Sequence, residues 1–201
     1  EVVARSRSAV VAVNVLDGDE IRLSSVYDFG PAFGLRVRAG ESIPLVPPFG
    51  VPFVAWAGDE TVETWLGRAE PKLTKKEATR YRVALAEVRD RGFAMSVAMA
   101  PGRRLAAALE ELAGQPGAES ARRSRDDAMR IAAHSEYLPT GLDPKASFRL
   151  MQVAAPVFSP DGTVGTSILL LGPGHELLGS EVEDLGRAVA TAARSATTDL
   201  R

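Results

Sequence analysis

The pattern of apolar and polar positions near the start of the chain predicts a β-hairpin followed by a third strand. Val- and Ala-rich residues run from Ser8 to Val15, and a second run, Glu20 to Tyr27, follows Leu16-Asp17-Gly18-Asp19. An Asp-Gly pair between two such runs is typical of a tight hairpin, because the primed turn needs positive φ. Apolar residues then alternate with Gly and Arg over 33–38, which predicts a half-buried strand with one solvated face.

A second hairpin is predicted near the end of the chain. Strand patterns cover Ala146 to Phe158 and Thr163 to Leu171, and Ser159-Pro160-Asp161-Gly162 lies between them. The alternating segment Phe93 to Met99 predicts another strand. Because hairpins join antiparallel neighbours, these segments favour an antiparallel sheet over a doubly wound parallel one.

The clearest helical pattern runs from Thr74 to Arg91. Thr74 and Glu77 have the spacing of a capping box, in which each side chain accepts a hydrogen bond from the other residue's backbone amide. Gly92 stands where a left-handed C-terminal cap belongs. This segment is therefore predicted to be a helix with defined ends.

Weaker helical patterns occur elsewhere, and Gly- and Pro-rich residues predict a loop between the strands and the first helices. The loop is expected over Gly40 to Gly50. Short helices are expected over Phe49 to Ala57 and over Asp59 to Leu66, the second with Asp59 as its cap. Further helices are expected over Arg103 to Ala113, over Glu119 to Ala133, and from Ser180, which forms a capping box with Glu183. About six strands and five helices indicate an α+β protein whose helices pack on the sheet. No internal linker calls for a second domain, so 1–201 is interpreted as one domain.

Composition and charge exclude several classes of function. Lys and Arg number 24 against 26 Asp and Glu, for a net charge of -2, so the chain lacks the basic excess of a domain that binds nucleic acid by itself. The absence of cysteine excludes disulfides, thiolate catalysis and Cys-based metal sites, and fits a cytoplasmic protein. No apolar run is long enough to span a bilayer. No nucleophile elbow or phosphate-binding loop is present, so we expect no enzyme and no cofactor.

Five stretches resemble the effector-binding domain of IclR-type transcription regulators, which has a GAF-like fold. They are Val13 to Ser25 (VNVLDGDEIRLSS), Gly40 to Ala55 (GESIPLVPPFGVPFVA), Arg91 to Ser96 (RGFAMS), Val153 to Gly162 (VAAPVFSPDG) and Leu169 to Pro173 (LLLGP). The order of these phrases along most of the chain carries the resemblance, and no single phrase does.

The resemblance implies that one face of the sheet, closed by the Gly40 to Ala55 segment, binds a small metabolite. It further implies dimers or tetramers, and operator recognition by an N-terminal winged helix-turn-helix domain. The chain begins with Glu1 rather than Met, so we expect that domain to lie outside this sequence. Relative to the family, the connection after Ser96 is long, and residues 103–147 are interpreted as a helical insertion.

Six residues are the predicted lining of the effector pocket: Phe49, Phe53, Ser96, Gln152, Leu169 and Leu171. In the resembling family serines are common at the positions of Leu169 and Leu171, so this pocket is expected to take a partly apolar effector. The alternative is that the aromatic side chains only fill the core. For Gln152, a ligand, water or a backbone group is an equally plausible partner.

Charged and histidine residues suggest no other site. Arg36 and Arg38 fit a solvated strand face better than an anion site. The arginines at 122, 123 and 125 lie between Glu119 and the pair Asp126-Asp127, which is typical of an exposed helix with ion pairs. His134 and His175 lack carboxylates at metal-ligand spacing, so no metal site is expected.

Two functions therefore stand from the sequence. The first is the effector-binding domain of a ligand-controlled transcription regulator. The second is a GAF-like domain without ligand that serves only dimerisation, which the bulk of Phe49, Leu169 and Leu171 would favour.

Overall fold

The computed structural model describes residues 9–30, 38–98 and 138–199, together with five positions between 119 and 127. The strands are β1 (Val10–Asp17), β2 (Glu20–Asp28), β3 (Ser42–Pro44), β4 (Ala94–Val97), β5 (Ser147–Phe148), β6 (Leu150–Phe158), β7 (Val164–Leu171) and β8 (Leu177–Leu178). The helices are α1 (Val51–Val54), α2 (Asp59–Gly67), α3 (Lys75–Arg91) and α4 (Gly179–Asp199).

Six strands form one antiparallel sheet in the order β3-β2-β1-β7-β6-β4, and β5 pairs with β8 in a small second sheet. Because successive side chains of a strand point to opposite faces, each strand contributes to two different cores. Met95, Val153 and Leu170 pack with Val182 and Val189 of α4 on one face.

The opposite face of the sheet carries the helices α1, α2 and α3. Leu16, Ile21 and Ala94 of the sheet cluster with Phe53 of α1 and Trp65 of α2. The short helix α1 lies against β6 and β7. The structure thus has the predicted α+β architecture, with a central antiparallel sheet covered by helices on both faces.

Local signals in the sequence placed most elements correctly. The register of β1 and β2 closes on Asp17 opposite Glu20, and Gly18 in the turn has φ of 59°. Thr74 and Glu77 form the predicted capping box, and Gly92 ends α3 with φ of 84°. Both β-hairpins and the long helix are therefore confirmed.

Several predicted boundaries are wrong in detail. The segment expected to be a loop after Gly40 contains β3, which pairs with β2 at the sheet edge. The helix expected over Phe49 to Ala57 is only the four-residue α1, and the N-terminal cap of α2 is Gly58 rather than Asp59. The strand expected from Ala146 to Phe158 is divided into β5 and β6.

The start of α4 also differs from the prediction. The helix begins at Gly179, and the backbone N–H of Leu178 donates to the carboxylate of Glu181 at 2.8 Å. Glu183 instead pairs with Arg187 one turn further along. The capping carboxylate is therefore Glu181, two residues before the predicted Glu183.

Two predicted features lie wholly or largely outside the described residues. The strand expected over 33–38 is one, since only Arg38 of it is described. The helical insertion expected over 103–147 is the other: its five described positions between 119 and 127 are helical, whereas 138–146 contain no helix. Arg123 and Glu119 form an exposed ion pair at 3.6 Å, as expected for a solvated helix.

Candidate functional site

Alternate residues of four neighbouring strands form one face of the sheet, opposite the face that α4 covers. We call it the inner face and define it by ten residues: Ala12, Asn14, Ala94, Ser96, Gln152, Ala154, Pro156, Ser167, Leu169 and Leu171. The strand register arranges these side chains in three rows that cross the sheet.

The first row contains three of the predicted pocket residues. Ser96 of β4 is opposite Gln152 of β6, and Gln152 is opposite Leu171 of β7. Ser96 and Leu171 are 1% exposed, and Gln152 is half-buried. The structure therefore brings Ser96, Gln152 and Leu171 together in one row, although they lie far apart in the sequence.

The second row is apolar and made mostly of small side chains. Ala94 is opposite Ala154, Ala154 is opposite Leu169, and Leu169 is opposite Ala12. Ala12, Ala154, Leu169 and Leu171 belong to one hydrophobic cluster of the sheet. Three alanines leave the middle of the inner face with little side-chain bulk.

The third row is polar again. Asn14 of β1 is opposite Ser167 of β7, and Ser167 is opposite Pro156 of β6. Asn14 is 8% exposed and Ser167 is fully buried. This pair was not predicted from the sequence.

Three buried polar atoms of the inner face have no hydrogen-bond partner among the residues that the structure describes: Asn14 Oδ1, Ser96 Oγ and Ser167 Oγ. A buried polar group without a partner costs about 1–3 kcal/mol, so proteins rarely retain one unless water or a ligand completes it. All three lie on the same face of the same sheet. Their placement is therefore evidence for a binding surface.

Phe49 and Phe53 belong to a different hydrophobic cluster from Leu169 and Leu171. Both are buried with residues of α1, α2 and α3, in the cluster that also contains Ala94. The backbone carbonyl oxygen of Phe49 accepts a 2.9 Å hydrogen bond from the indole N–H of Trp65. These contacts give Phe49 a structural role, whereas its predicted contact with an effector stays a prediction.

The sequence contained a signal for Asn14 and Ser167 that was missed. Asn14 has the same parity in β1 as Val10 and Ala12, so it interrupts an otherwise apolar buried row. Ser167 does the same in β7, two positions before Leu169. Both residues are identified by the same pattern: a polar residue at a position of a central strand whose side chain points to the buried face.

Arg91 is partly buried and has a structural role. Its Nε donates to the carbonyl oxygen of Phe93 at 2.7 Å, and Nη1 donates to that of Pro139 at 3.3 Å. Burial lowers the pKa of Arg91, while Glu87 and Glu183 act in the opposite direction. The side chain thus fastens the segment around Pro139 to the sheet.

The inner face is built from neutral side chains. The ten residues of the inner face are all uncharged. His175 and Arg38 are both exposed, and the backbone N–H of Arg38 donates a hydrogen bond to the carboxylate of Glu41. Within the described ranges, no three His, Asp or Glu side chains converge as a metal site requires. No helix there is long and apolar enough to cross a membrane.

The sequence matches no protein-family model and no curated protein. Its structure, however, matches solved structures of transcription regulators over nearly the whole chain. One is a domain of a regulator described as belonging to the IclR family, with 17% identity, a TM-score of 0.63, and coverage of 98% of this chain and 90% of that one. The C-terminal domain of Escherichia coli KdgR is 18% identical, with a TM-score of 0.56 and coverage of 98% and 90%.

A longer solved protein shows how much of such a regulator this chain spans. Thermotoga maritima IclR is 11% identical with a TM-score of 0.60, and the match covers 98% of this chain but 64% of that one. At these identities the likeness establishes the fold. The chain has the GAF-like α+β fold of the C-terminal domains of IclR-family regulators.

Proposed function

We propose that this chain is the effector-binding domain of a bacterial transcription regulator in the cytoplasm. A small molecule binds the inner face of the sheet, under the segment that carries α1. The domain assembles as a dimer or tetramer, and effector binding changes the affinity of a winged helix-turn-helix domain, outside this chain, for its operator.

One observation carries the ligand-binding half of the proposal. Ser96, Ser167 and Asn14 each place a buried polar atom without a described partner on the inner face, beside apolar surface. Ligand sites are mostly apolar with a few polar groups that orient the bound molecule, which is the composition of this face. The fold shared with IclR-family regulator domains supports the regulatory half.

Control of transcription requires the effector to distinguish two arrangements of the oligomer. A ligand shifts such an equilibrium only by its difference in affinity for the two states. A ligand on the sheet contacts strands β1, β4, β6 and β7 together, so it stabilises one curvature of the sheet over another. The DNA-binding domains would sense that change through the oligomer interface.

Ligand binding is tested by screening neutral and acidic metabolites for compounds that raise the melting temperature, since a ligand that binds the native state must stabilise it. Each active compound is then tested on Ser96→Ala and on Ser24→Ala, whose serine lies exposed on β2. We expect the stabilisation to shrink in Ser96→Ala and to persist in Ser24→Ala. Equal effects in both variants would place the ligand elsewhere.

A domain that serves only dimerisation gives a different result. No compound would then raise the melting temperature, while size-exclusion chromatography with light scattering would still report a dimer. That combination would replace the proposed function with the alternative.

The DNA-binding half is tested on the natural protein in its own cells, with an antibody raised to this chain. A band heavier than 21.3 kDa by the size of a winged-helix domain supports the proposal. A band at 21.3 kDa would remove operator recognition from it.

A further inference from the structure

We propose that the ligand of the inner face is uncharged and elongated, with a polar group at each end and a hydrocarbon middle. One end is held by Ser96 and Gln152, and the other by Asn14 and Ser167. This inference rests on the proposed function and names the chemical class of its effector.

The two polar ends follow from the strand register. Gln152 is opposite Leu171, whereas Ser167 lies four residues before Leu171 on the same strand. At about 3.3 Å per residue, the two polar rows are separated by about 13 Å along the strands. A molecule of three or four heavy atoms therefore reaches only one row, and an elongated molecule reaches both.

The surface between the polar rows offers no hydrogen bond from side chains. Ala12, Ala94 and Ala154 form the middle row with Leu169. Alanine side chains keep this row low. Because the row is already buried, the gain of about 25 cal/mol per Å² comes from the apolar surface of the ligand itself when it leaves water. The middle of the ligand is therefore expected to be a methylene chain or a similarly narrow apolar group.

The polar groups of the ligand must both donate and accept hydrogen bonds. A serine hydroxyl can donate one bond and accept others, whereas the unpartnered amide oxygen of Asn14 only accepts. A hydroxyl or a primary amide on the ligand satisfies both kinds of partner. At the Asn14 and Ser167 end the ligand must supply at least one donor.

A carboxylate end is disfavoured because all ten residues that define the inner face are uncharged. Two arginines of α3 are engaged elsewhere: the exposed Arg89 donates to the backbone carbonyl oxygen of Ala55 at 2.9 Å, and the partly buried Arg91 donates to that of Phe93 at 2.7 Å. Burying a charge without a partner costs several kcal/mol. The described residues therefore select for neutral ends.

The test measures the dissociation constants of matched probes with the 201-residue chain by titration calorimetry. The probes are α,ω-alkanediols from hexanediol to dodecanediol, the 1-alkanols of equal length, and the corresponding α,ω-dicarboxylates. We expect one diol length to bind best, roughly tenfold tighter than the matching alkanol, since one additional hydrogen bond contributes about that factor. The dicarboxylate should bind more weakly than either.

Variants then identify the two ends. Ser96→Ala and Ser167→Ala should each lower the affinity for the best diol to about the affinity for the matching alkanol, because either change removes the hydrogen bonds at one end of the diol. The affinity for the alkanol should fall at most about twofold in either variant, since its one hydroxyl can still bind at the polar row that the variant leaves intact. Ser24→Ala should change neither affinity.

Equal affinity for diol and alkanol, or tightest binding of the dicarboxylate, would overturn the proposed ligand class; these comparisons need only the unmodified chain. If a screened metabolite of another class binds in a manner that depends on Ser96, the proposed function stands and only the ligand class fails. If neither the diols nor any screened compound binds, both fail.

Discussion

The indole N–H of Trp65 donates a 2.9 Å hydrogen bond to the backbone carbonyl oxygen of Phe49, and both side chains are buried. The ring of Trp65 also meets that of Tyr81 edge to face, with centroids 5.3 Å apart. Trp65 thereby joins the segment before α1 to both α2 and α3. Trp65 therefore helps to hold the segment that leads into α1.

Replacing Trp65 by Phe should lower the free energy of unfolding by about 2–4 kcal/mol, because the Phe49 carbonyl loses its buried donor and the smaller ring leaves a cavity. Urea denaturation measures the change. Trp56→Phe is the control: Trp56 is only partly buried and packs against Phe158 at 5.6 Å between centroids, so its loss should be smaller. An equal loss in the two variants would contradict the role assigned to Trp65.

Gly186 of α4 should not tolerate a side chain. A Cβ there would approach the ring of Phe93 more closely than two carbon atoms can, and Phe93 is buried. Gly186→Ala should therefore destabilise the protein by about 1–3 kcal/mol, despite the better helix propensity of alanine.

The control for that change is Gly67→Ala, at the end of α2. A Cβ there meets no heavy atom within 4 Å among the described residues, so the variant should be neutral or slightly more stable. Thermal unfolding of the two variants compares them directly. Combining Gly186→Ala with Phe93→Leu should recover part of the loss, since the smaller side chain makes room.

Removing the buried hydroxyl of Ser167 should stabilise the protein in the absence of ligand. Ser167→Ala deletes a polar group that has no described partner, so we expect a gain of up to about 1 kcal/mol in the free energy of unfolding. Ser24→Ala, on an exposed position, should change stability by less than about 0.5 kcal/mol. A loss of stability in Ser167→Ala would show that the hydroxyl already has a partner in the protein.

The contribution of the α3 capping box to stability should be measurable by replacing its first residue, Thr74. Thr74 accepts from the backbone N–H of Glu77 at 3.3 Å, and the Glu77 carboxylate accepts from the backbone N–H of Thr74 at 2.7 Å. Thr74→Ala should cost about 1 kcal/mol in urea denaturation. Thr79 is exposed and lies within the same helix, away from its ends. Thr79→Ala should therefore leave stability unchanged or raise it, because alanine is the better helix former.

The turn of the second hairpin should make stability depend on pH in the acid range. The backbone N–H of Thr163 donates to the carboxylate of Asp161 at 3.0 Å, and its hydroxyl donates at 2.7 Å. These bonds lower the pKa of Asp161. A lowered pKa in the folded state stabilises the protein above the unfolded value of about 3.9, and this contribution disappears as pH falls through the folded value.

Asp161→Asn keeps a side-chain oxygen for the turn but has no charge to titrate. The wild-type protein should therefore melt at a higher temperature than the variant at pH 7, and the difference should shrink below about pH 4. Melting curves from pH 2 to pH 7 measure it. A difference that does not change with pH would show that the charge of Asp161 contributes nothing to the turn.

Short-range patterns in the sequence determined most of the secondary structure. Period-two alternation and the Asp17-Gly18 pair specified the first hairpin, since strand pairing across a two-residue turn involves only near neighbours. The capping box at Thr74 and the glycine at 92 specified both ends of α3 for the same reason. The resemblance predicted that Ser96, Gln152, Leu169 and Leu171 line one pocket, and the structure places all four on the inner face of the sheet.

Only the tertiary structure decided which strands became neighbours. The first strand lies beside β7, from the other end of the chain, and this pairing sets Asn14 opposite Ser167. Ser42–Pro44 became a strand because the edge of β2 was available to pair with it, although its own composition indicates a loop. Pairing between distant segments depends on the packing of the whole sheet, and no local pattern encodes it. The second polar row of the inner face therefore became visible only in the folded protein.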